Sequence, residues 1–272
     1  MTTRGIRLRL AVLISGGGTN LQALIDRSLA GSLAAEVVVV VSDRPEAYGL
    51  KRAEQAGIPH HVVDYRSHMD ADPRKLQEQD PGLDLEALDG IQKILKVPER
   101  DNRLLTLSRL VSAEKELLRI LDSYQPDYVC LAGYMRLVSP FFIQHWNSDG
   151  NWRIINIHPS LLPAFPGRHG YEDTFEYGCR WGGVTVHFVD EGEDSGPILA
   201  QGIYPIWPDD NIERVRNRGL KVEYEVYAQC VNWLAAGLIH LRVEGSRRAV
   251  ALITDPEYKN ILSGWLRLAF SL

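Results

Sequence analysis

Apolar and polar positions alternate in blocks through the first part of the chain. Residues 8–15 are apolar and β-branched enough for a buried strand, and three glycines, Gly16, Gly17 and Gly18, break the run. Leu21, Leu24 and Ile25 then recur at helical spacing, which predicts a helix capped by Thr19 and reaching about Leu29. Five consecutive valines at 37–41 read as a strand covered on both faces. A helix over 47–56, closed by Gly57, and a third strand over 59–65 follow. Strand–helix alternation of this kind predicts a parallel sheet with right-handed crossovers.

The pattern changes at 66–102. This stretch is rich in Asp, Glu, Lys and Arg and punctuated by Pro73, Pro81 and Pro98, yet Leu85, Leu88, Ile91 and Leu95 draw one amphipathic stripe through it. It reads as a helical excursion inserted into one catalytic domain spanning 1–240. A helix over 104–124 restores the alternation and is stopped by Pro126. Strands are then expected at 128–132, 153–157, 183–190 and 199–206, the last two as antiparallel neighbours, with a short helix at 141–146. A long helix over 210–236 is expected to kink near Gly219, and a last strand is expected at 240–244. The extension at 241–272 carries Trp265, Leu266, Leu268 and Phe270, which call for a surface to pack on, either the body or another subunit, so a homodimer is one arrangement to test.

Composition narrows the class. The chain has 272 residues, 45% hydrophobic and 24% charged, which suffices for a sizeable core. A net charge of −5 argues against non-specific nucleic-acid binding. Three cysteines stand far apart without a CxxC pair, which favours reduced thiols and gives no structural metal site. There is no run of about 18 apolar residues to cross a membrane and no secretory pattern at the start, so a cytoplasmic protein is expected.

Two places carry candidate chemistry. The turn 15–20, Ser-Gly-Gly-Gly-Thr-Asn, ends a strand and opens a helix, so backbone N–H groups and the helix dipole favour a phosphate beside Gly18, Thr19 and Asn20. The nucleotide-hydrolase loop would need Gly-Lys-Ser/Thr, and a dinucleotide fingerprint would need glycine where Leu21 stands. Asp43, at the end of the second strand, keeps a nicotinamide-dinucleotide oxidoreductase in view as the reading from another class. The second place is 154–163. Asn156 and His158 lie two apart on a strand and therefore share a face, among apolar neighbours that leave packing a poor account of both. A strand over 183–190 then leaves for an acidic loop containing Asp190 and Asp194; spacing alone does not bring Asp194 to His158.

Taken together and in order, Ser-Gly-Gly-Gly-Thr-Asn-Leu-Gln, Leu131-Ala-Gly-Tyr-Met-Arg136, Asn156-Ile-His-Pro-Ser-Leu-Leu-Pro163 and Val186-His-Phe-Val-Asp with Asp194-Ser-Gly-Pro197 resemble the phosphoribosylglycinamide formyltransferases of the formyltransferase superfamily. The resemblance runs from about residue 8 to 240 apart from the excursion. It implies a Rossmann-like α/β fold, doubly wound and mostly parallel, with antiparallel strands toward the C-terminal part. It implies formyl transfer from 10-formyltetrahydrofolate, as co-substrate, to the amine of glycinamide ribonucleotide in purine synthesis, with Asn156, His158 and Asp194 catalytic and no metal. It further implies Gly18, Thr19 and Asn20 at the substrate phosphate, Glu223 at its amine and ribose, and Met135, Arg136, Leu137, Val138 and Asp190 at the folate. Asp194 would raise the His158 pKa so that imidazolium donates to the oxyanion. Sugar-nucleotide N-formyltransferase and formyltetrahydrofolate hydrolase are the alternatives within the superfamily. One departure concerns 166–171, where Tyr171 stands at the place of a usual histidine.

Overall fold

The computed structural model describes residues 7–148, 150–242 and 249–272. Its centre is a seven-stranded sheet of order β3-β2-β1-β4-β5-β6-β7. The strands are β1 (Leu8–Ile14), β2 (Ala35–Ser42), β3 (His60–Val62), β4 (Tyr128–Leu131), β5 (Ile154–His158), β6 (Trp181–Phe188) and β7 (Ile198–Pro205). Pairing is parallel from β3 through β5 and antiparallel for β5–β6 and β6–β7. The alternation calls for the parallel strands, and the whole is the doubly wound, mostly parallel α/β fold that the resemblance implies.

Strand alternation sends side chains into two layers. Leu10, Val12 and Val40 face a layer built from α1 (Thr19–Leu29), α2 (Tyr48–Gln55), α8 (Ile212–Ala235) and α9 (Tyr258–Phe270). Ala11, Leu13, Val39 and Val41 face α5 (Arg100–Tyr124) and α6 (Pro140–Trp146). The five-valine run is thus buried from both sides, as a central parallel strand must be. Because β2 and β3 wind to one side of β1 and β4 and β5 to the other, the sheet has a switch point between β1 and β4. A ligand crevice is expected outside the carboxyl ends of such strands.

The excursion folds as a 3-10 turn (Tyr65–His68), α3 (Pro73–Gln79) and α4 (Leu85–Ile91). Asp72 and Asp84 cap these helices through their carboxylates. Leu76, Leu83, Leu85 and Leu88 pack on Leu107 and Val111 of α5. The expected stripe is interrupted at Ile91, exposed where α4 ends, while Leu95, beyond the helix, still packs against the same cluster.

Several local expectations are corrected. The third strand covers only three residues, because Asp64 accepts from the Arg66 N–H and turns the chain into the 3-10 segment. Gly18, not Thr19, is the cap of α1, with φ 68°. The helix α8 runs unbroken through Gly219, whose missing Cβ leaves room for the Tyr171 ring: a Cβ there would sit 2.3 Å from Tyr171 Cε1. A short helix α7 (Gly170–Glu176), unpredicted, carries that tyrosine. The last strand, β8, is Ile239–Arg242, and it pairs with an unpredicted β9 (Val250–Ile253); the expected continuation to Glu244 lies outside the described residues. The extension ends in α9, where Trp265 and Ala269 are buried against the body while Leu266 and Phe270 stay exposed. The cysteines Cys130, Cys179 and Cys230 are free thiols.

Candidate active site

A cleft opens at the carboxyl ends of β4 and β5, where the strand order places a ligand crevice. Its walls come from the 133–138 loop after β4, from Asn156 and His158 of β5, from His187 of β6, and from the 189–194 loop. The apolar parts are Leu131, Leu137, Val138, Ile157 and Val189; one more apolar residue, Ile94, belongs to the excursion.

At the cleft's inner end three distant segments meet on one carboxylate. His158 Nδ1 lies 3.3 Å from Asp194 Oδ2, and His187 Nε2 lies 3.6 Å from Asp194 Oδ1. The Gly167 N–H donates to Asp194 Oδ2 at 2.8 Å. Asn156 Nδ2 is 3.1 Å from His187 Nε2, a contact prepared by the antiparallel register that sets Asn156 opposite His187. The outer ring nitrogens are anchored on carbonyls: His158 Nε2 on Phe165 O at 2.8 Å and His187 Nδ1 on Phe188 O at 2.8 Å. Carbonyl oxygens only accept, so both of these nitrogens carry hydrogen. His187 Nε2 is then free to accept from the Asn156 amide, and His158 turns Nδ1 toward the Asp194 carboxylate.

Burial dominates the electrostatics. It lowers the His158 pKa below the usual imidazole value, although Asp194 and the Phe165 carbonyl pull it upward. The expectation that Asp194 raises this pKa therefore holds for its own contribution but not for the balance. Asp194 itself is pushed up by burial, and His187, His158 and the Gly167 N–H outweigh that push, leaving it below the ordinary carboxylate value. Asp194 sits at φ 50°, a left-handed conformation that aims its carboxylate back at β5 and β6. Asp190 organises the same loop by accepting from Ser195 Oγ at 2.6 Å and from the Gly192 N–H at 3.2 Å.

The folate-side residues predicted from the sequence, Met135, Arg136, Leu137, Val138 and Asp190, all line the cleft. Arg136 is tied back, with Nε 2.8 Å from Asp43 Oδ2 and its guanidinium over the Tyr65 ring. Asp43 is thereby engaged as the buried partner of a cleft arginine.

The glycine turn adjoins this wall without lining the cleft. Ser15 N donates to Gly133 O at 3.1 Å, and Ser15 Oγ accepts from Met135 N at 2.7 Å. Gly18 is required by contact as well as by φ, since a Cβ there would lie 2.7 Å from Gly49 Cα at the start of α2. Gly49 N in turn donates to Gly16 O at 3.0 Å. The first-turn N–H groups of α1, beside this junction, have no intrahelical acceptor. Asn20 behaves differently from expectation: its side chain turns inward, and Nδ2 donates to Glu223 Oε2 at 2.5 Å. Glu223 is also met by the Tyr171 hydroxyl, is 4% exposed, and does not line the cleft; burial raises its pKa. Tyr171 thus serves as a hydroxyl donor to Glu223.

Sequence reasoning had given no role to His187, although it stands in the quoted Val-His-Phe-Val-Asp run; period-two alternation from a buried strand was the available signal. It also missed Ile94, for which no sequence signal exists. No group of His, Cys, Asp and Glu suited to a metal ion occurs among the described residues, and no described helix is long and apolar enough to cross a membrane.

Residues 8–231 match the family model described as "Formyl transferase". A phosphoribosylglycinamide formyltransferase of Haemophilus influenzae is 35% identical over 86% of this chain and 90% of its own length. The trifunctional purine biosynthetic protein adenosine-3 of Drosophila melanogaster is 38% identical over 85% of this chain, which spans only 14% of that relative. Glycinamide ribonucleotide transformylase 1 from Symbiobacterium toebii superimposes with a TM-score of 0.70 at 35% identity, covering 92% of this chain and 95% of its own.

Proposed function

The chain belongs to the formyl transferase family, and from that premise we propose that it moves a formyl group from 10-formyltetrahydrofolate to the glycine amine of glycinamide ribonucleotide. The observation that carries the reading is the convergence of Asn156, His158, His187 and Asp194 on one end of a cleft whose wall is bonded to the glycine turn. The bacterial relative named for this activity, matched along 90% of its length, supports the choice of substrate.

In this mechanism the folate occupies the cleft against Leu137, Val138 and Val189, and the acceptor's phosphate takes the N–H groups at Gly18, Thr19 and Asn20. Since the Asn20 side chain is engaged with Glu223, its contribution to phosphate is through the backbone. Glu223 acts at the acceptor amine and ribose through the Asn20–Glu223–Tyr171 group, opening one of its two bonds when the acceptor arrives. The amine nitrogen attacks the formyl carbon and a C–N bond forms. Charge develops on the formyl oxygen, which the Asn156 amide meets from a fixed position. The imidazole of His158, uncharged because it is buried, takes the proton leaving the amine, directly or through water. Asp194 stabilises the imidazolium at 3.3 Å. The bond from the formyl carbon to the folate N10 then breaks, and the proton passes to that nitrogen. Every step is a proton transfer or an acyl transfer, which the side chains at hand can perform.

The catalytic unit runs through residue 240 and includes the 66–102 excursion; 241–272 is an extension. The deciding assay offers 10-formyltetrahydrofolate with glycinamide ribonucleotide, with a nucleotide-linked amino sugar, and with water alone. Formyl transfer only to glycinamide ribonucleotide is expected. Faster release of formate than of formylated ribonucleotide, or preference for the sugar amine, overturns the proposal.

A further inference from the structure

We infer that residues 92–95 of the excursion form a built wall of the formyl-donor cleft, in which Ile94 contacts the bound folate and sets donor affinity. The inference rests on the reading of the cleft given above.

Ile94 is 7% exposed, yet it belongs to none of the three apolar clusters that make the core. What remains exposed of it lines the cleft, together with Val189, Gly192 and Glu193. The part of an isoleucine that reaches a cleft offers only apolar surface to whatever fills the space.

The segment that holds it is fixed at both ends. On its own side, Gln92 Oε1 accepts from the Ile94 N–H at 3.0 Å and the Leu95 N–H at 2.7 Å, which folds the chain into a tight turn. Gln92 Nε2 reaches Asp89 Oδ1 at 3.3 Å. Arg103 of α5 grips both oxygens of Asp89 and spends Nη1 on the carbonyls of Val97 and Pro98, at 3.1 and 2.8 Å. Toward the 189–194 loop, the Lys93 N–H donates to Glu191 O at 3.0 Å, and Lys96 Nζ lies 3.5 Å from Glu193 Oε2. The loop so clasped is the one that ends in Asp194. An excursion that served only to decorate α5 would need the leucine cluster and nothing beyond it; the extra turn, the Arg103 anchor and the bond to Glu191 serve the cleft.

The test compares wild type, Ile94→Ala and Arg103→Met, each checked for an unchanged circular dichroism spectrum. Two readouts are taken: KM for donor and acceptor separately, and the Kd of a folate analogue without a transferable formyl group, measured by intrinsic fluorescence. Removing the apolar contact in Ile94→Ala is expected to raise both donor KM and analogue Kd about tenfold, with acceptor KM within about twofold. Arg103→Met, which touches nothing in the cleft, is expected to move donor KM in the same direction by loosening the turn. Unchanged donor constants and unchanged analogue binding in both variants overturn the inference while leaving the function standing. A wild-type chain that neither binds the analogue nor uses the donor overturns the function and the wall together. Wild-type binding without turnover, weakened in Ile94→Ala, upholds the wall and sinks only the proposed reaction.

Discussion

The two ends of the site solve the burial of polar groups in opposite ways. At the glycine-turn end, Glu223 meets two donors, Asn20 and Tyr171, and is closed off from the cleft. At the β5–β6 end, two imidazoles and a backbone N–H surround one carboxylate, and the group faces an open cleft. Burial drives the Glu223 carboxyl toward its protonated form and outweighs the hydrogen bonds from Asn20 and Tyr171, so its pKa is raised. Against the same burial, His187, His158 and the Gly167 N–H favour the ionised carboxylate, so the Asp194 pKa is lowered. The first arrangement stores structure; the second is ready to move a proton. Substitutions at the two ends should therefore differ in kind, with turnover lost at one and stability lost at the other.

The largest effect is expected at Asp194. Asp194→Asn keeps the shape but removes the charge that stabilises an imidazolium at 158, and His158→Ala removes the base. Each should lower kcat by about 10² to 10⁴-fold, with thermal midpoints moving far less than kcat does. Near-native kcat in both variants would erase the contrast, because the open cluster would then be packing and nothing more.

Next comes Glu223→Ala. It strands the buried Asn20 amide and Tyr171 hydroxyl, and leaving such donors without acceptors costs about 1–3 kcal/mol. Urea denaturation should register that loss, and acceptor KM should rise with little change in donor KM. A variant as stable as wild type would mean that water or another group replaces Glu223 at once, and the closed end would not be closed.

Gly219→Ala sharpens the same point from the other side of Tyr171. Helix propensity alone would make the substitution stabilising by about 1 kcal/mol. A Cβ at 219 meets the tyrosine ring, however, and overpacking typically costs about 1–3 kcal/mol. A net loss of stability is expected, smaller in a Tyr171→His background where the ring is shorter. Stabilisation of the single variant would show Tyr171 free to move away, contrary to its role as a fixed lid on Glu223.

The same contrast marks how far the sequence could be read. The valine run, the glycine turn and the Asn156–His158 pair are local, and period-two or helical spacing exposes them directly. The parallel sheet followed from that alternation; its strand order did not, being a relation between segments. What escaped were relations between segments. Nothing local links Asn20 to Glu223, since 203 positions separate them, nor Ile94 to the 189–194 loop. Gly219 misled for the same reason: its meaning is the distant Tyr171, whereas a local reading could only see a helix breaker. Thr19 looked like the better cap by side chain, but the left-handed backbone and the close approach to Gly49 select glycine at 18.

The smallest expected effect is also the one that isolates His158 most cleanly. Its folded pKa lies below the ordinary 6.5, so on acidification the unfolded chain binds a proton before the folded chain does. Stability must then fall as pH drops from about 6.5 toward the lowered value, by linkage. Asp194, lowered from 3.8, adds a loss of the same sign further into acid. Glu114 works the other way. Fully buried and bonded by Ser139 N and Oγ, it is raised from 4.5 to about 8, so its contribution is present below 4.5 and is lost as pH rises through about 8. The wild-type profile sums these opposing slopes, which is why a single curve would be uninformative. His158→Gln removes the first of them, and its effect on Asp194 falls further into acid than the range compared. Its unfolding free energy should therefore decline less than that of wild type between pH 7 and 5.5, with the two curves parallel above pH 7.5. Parallel curves across the whole range would mean that the imidazole titrates alike in folded and unfolded chains. The proton acceptor of the open end would then have to be sought in His187, whose Nε2 lies 3.1 Å from the Asn156 amide and 3.6 Å from the same carboxylate.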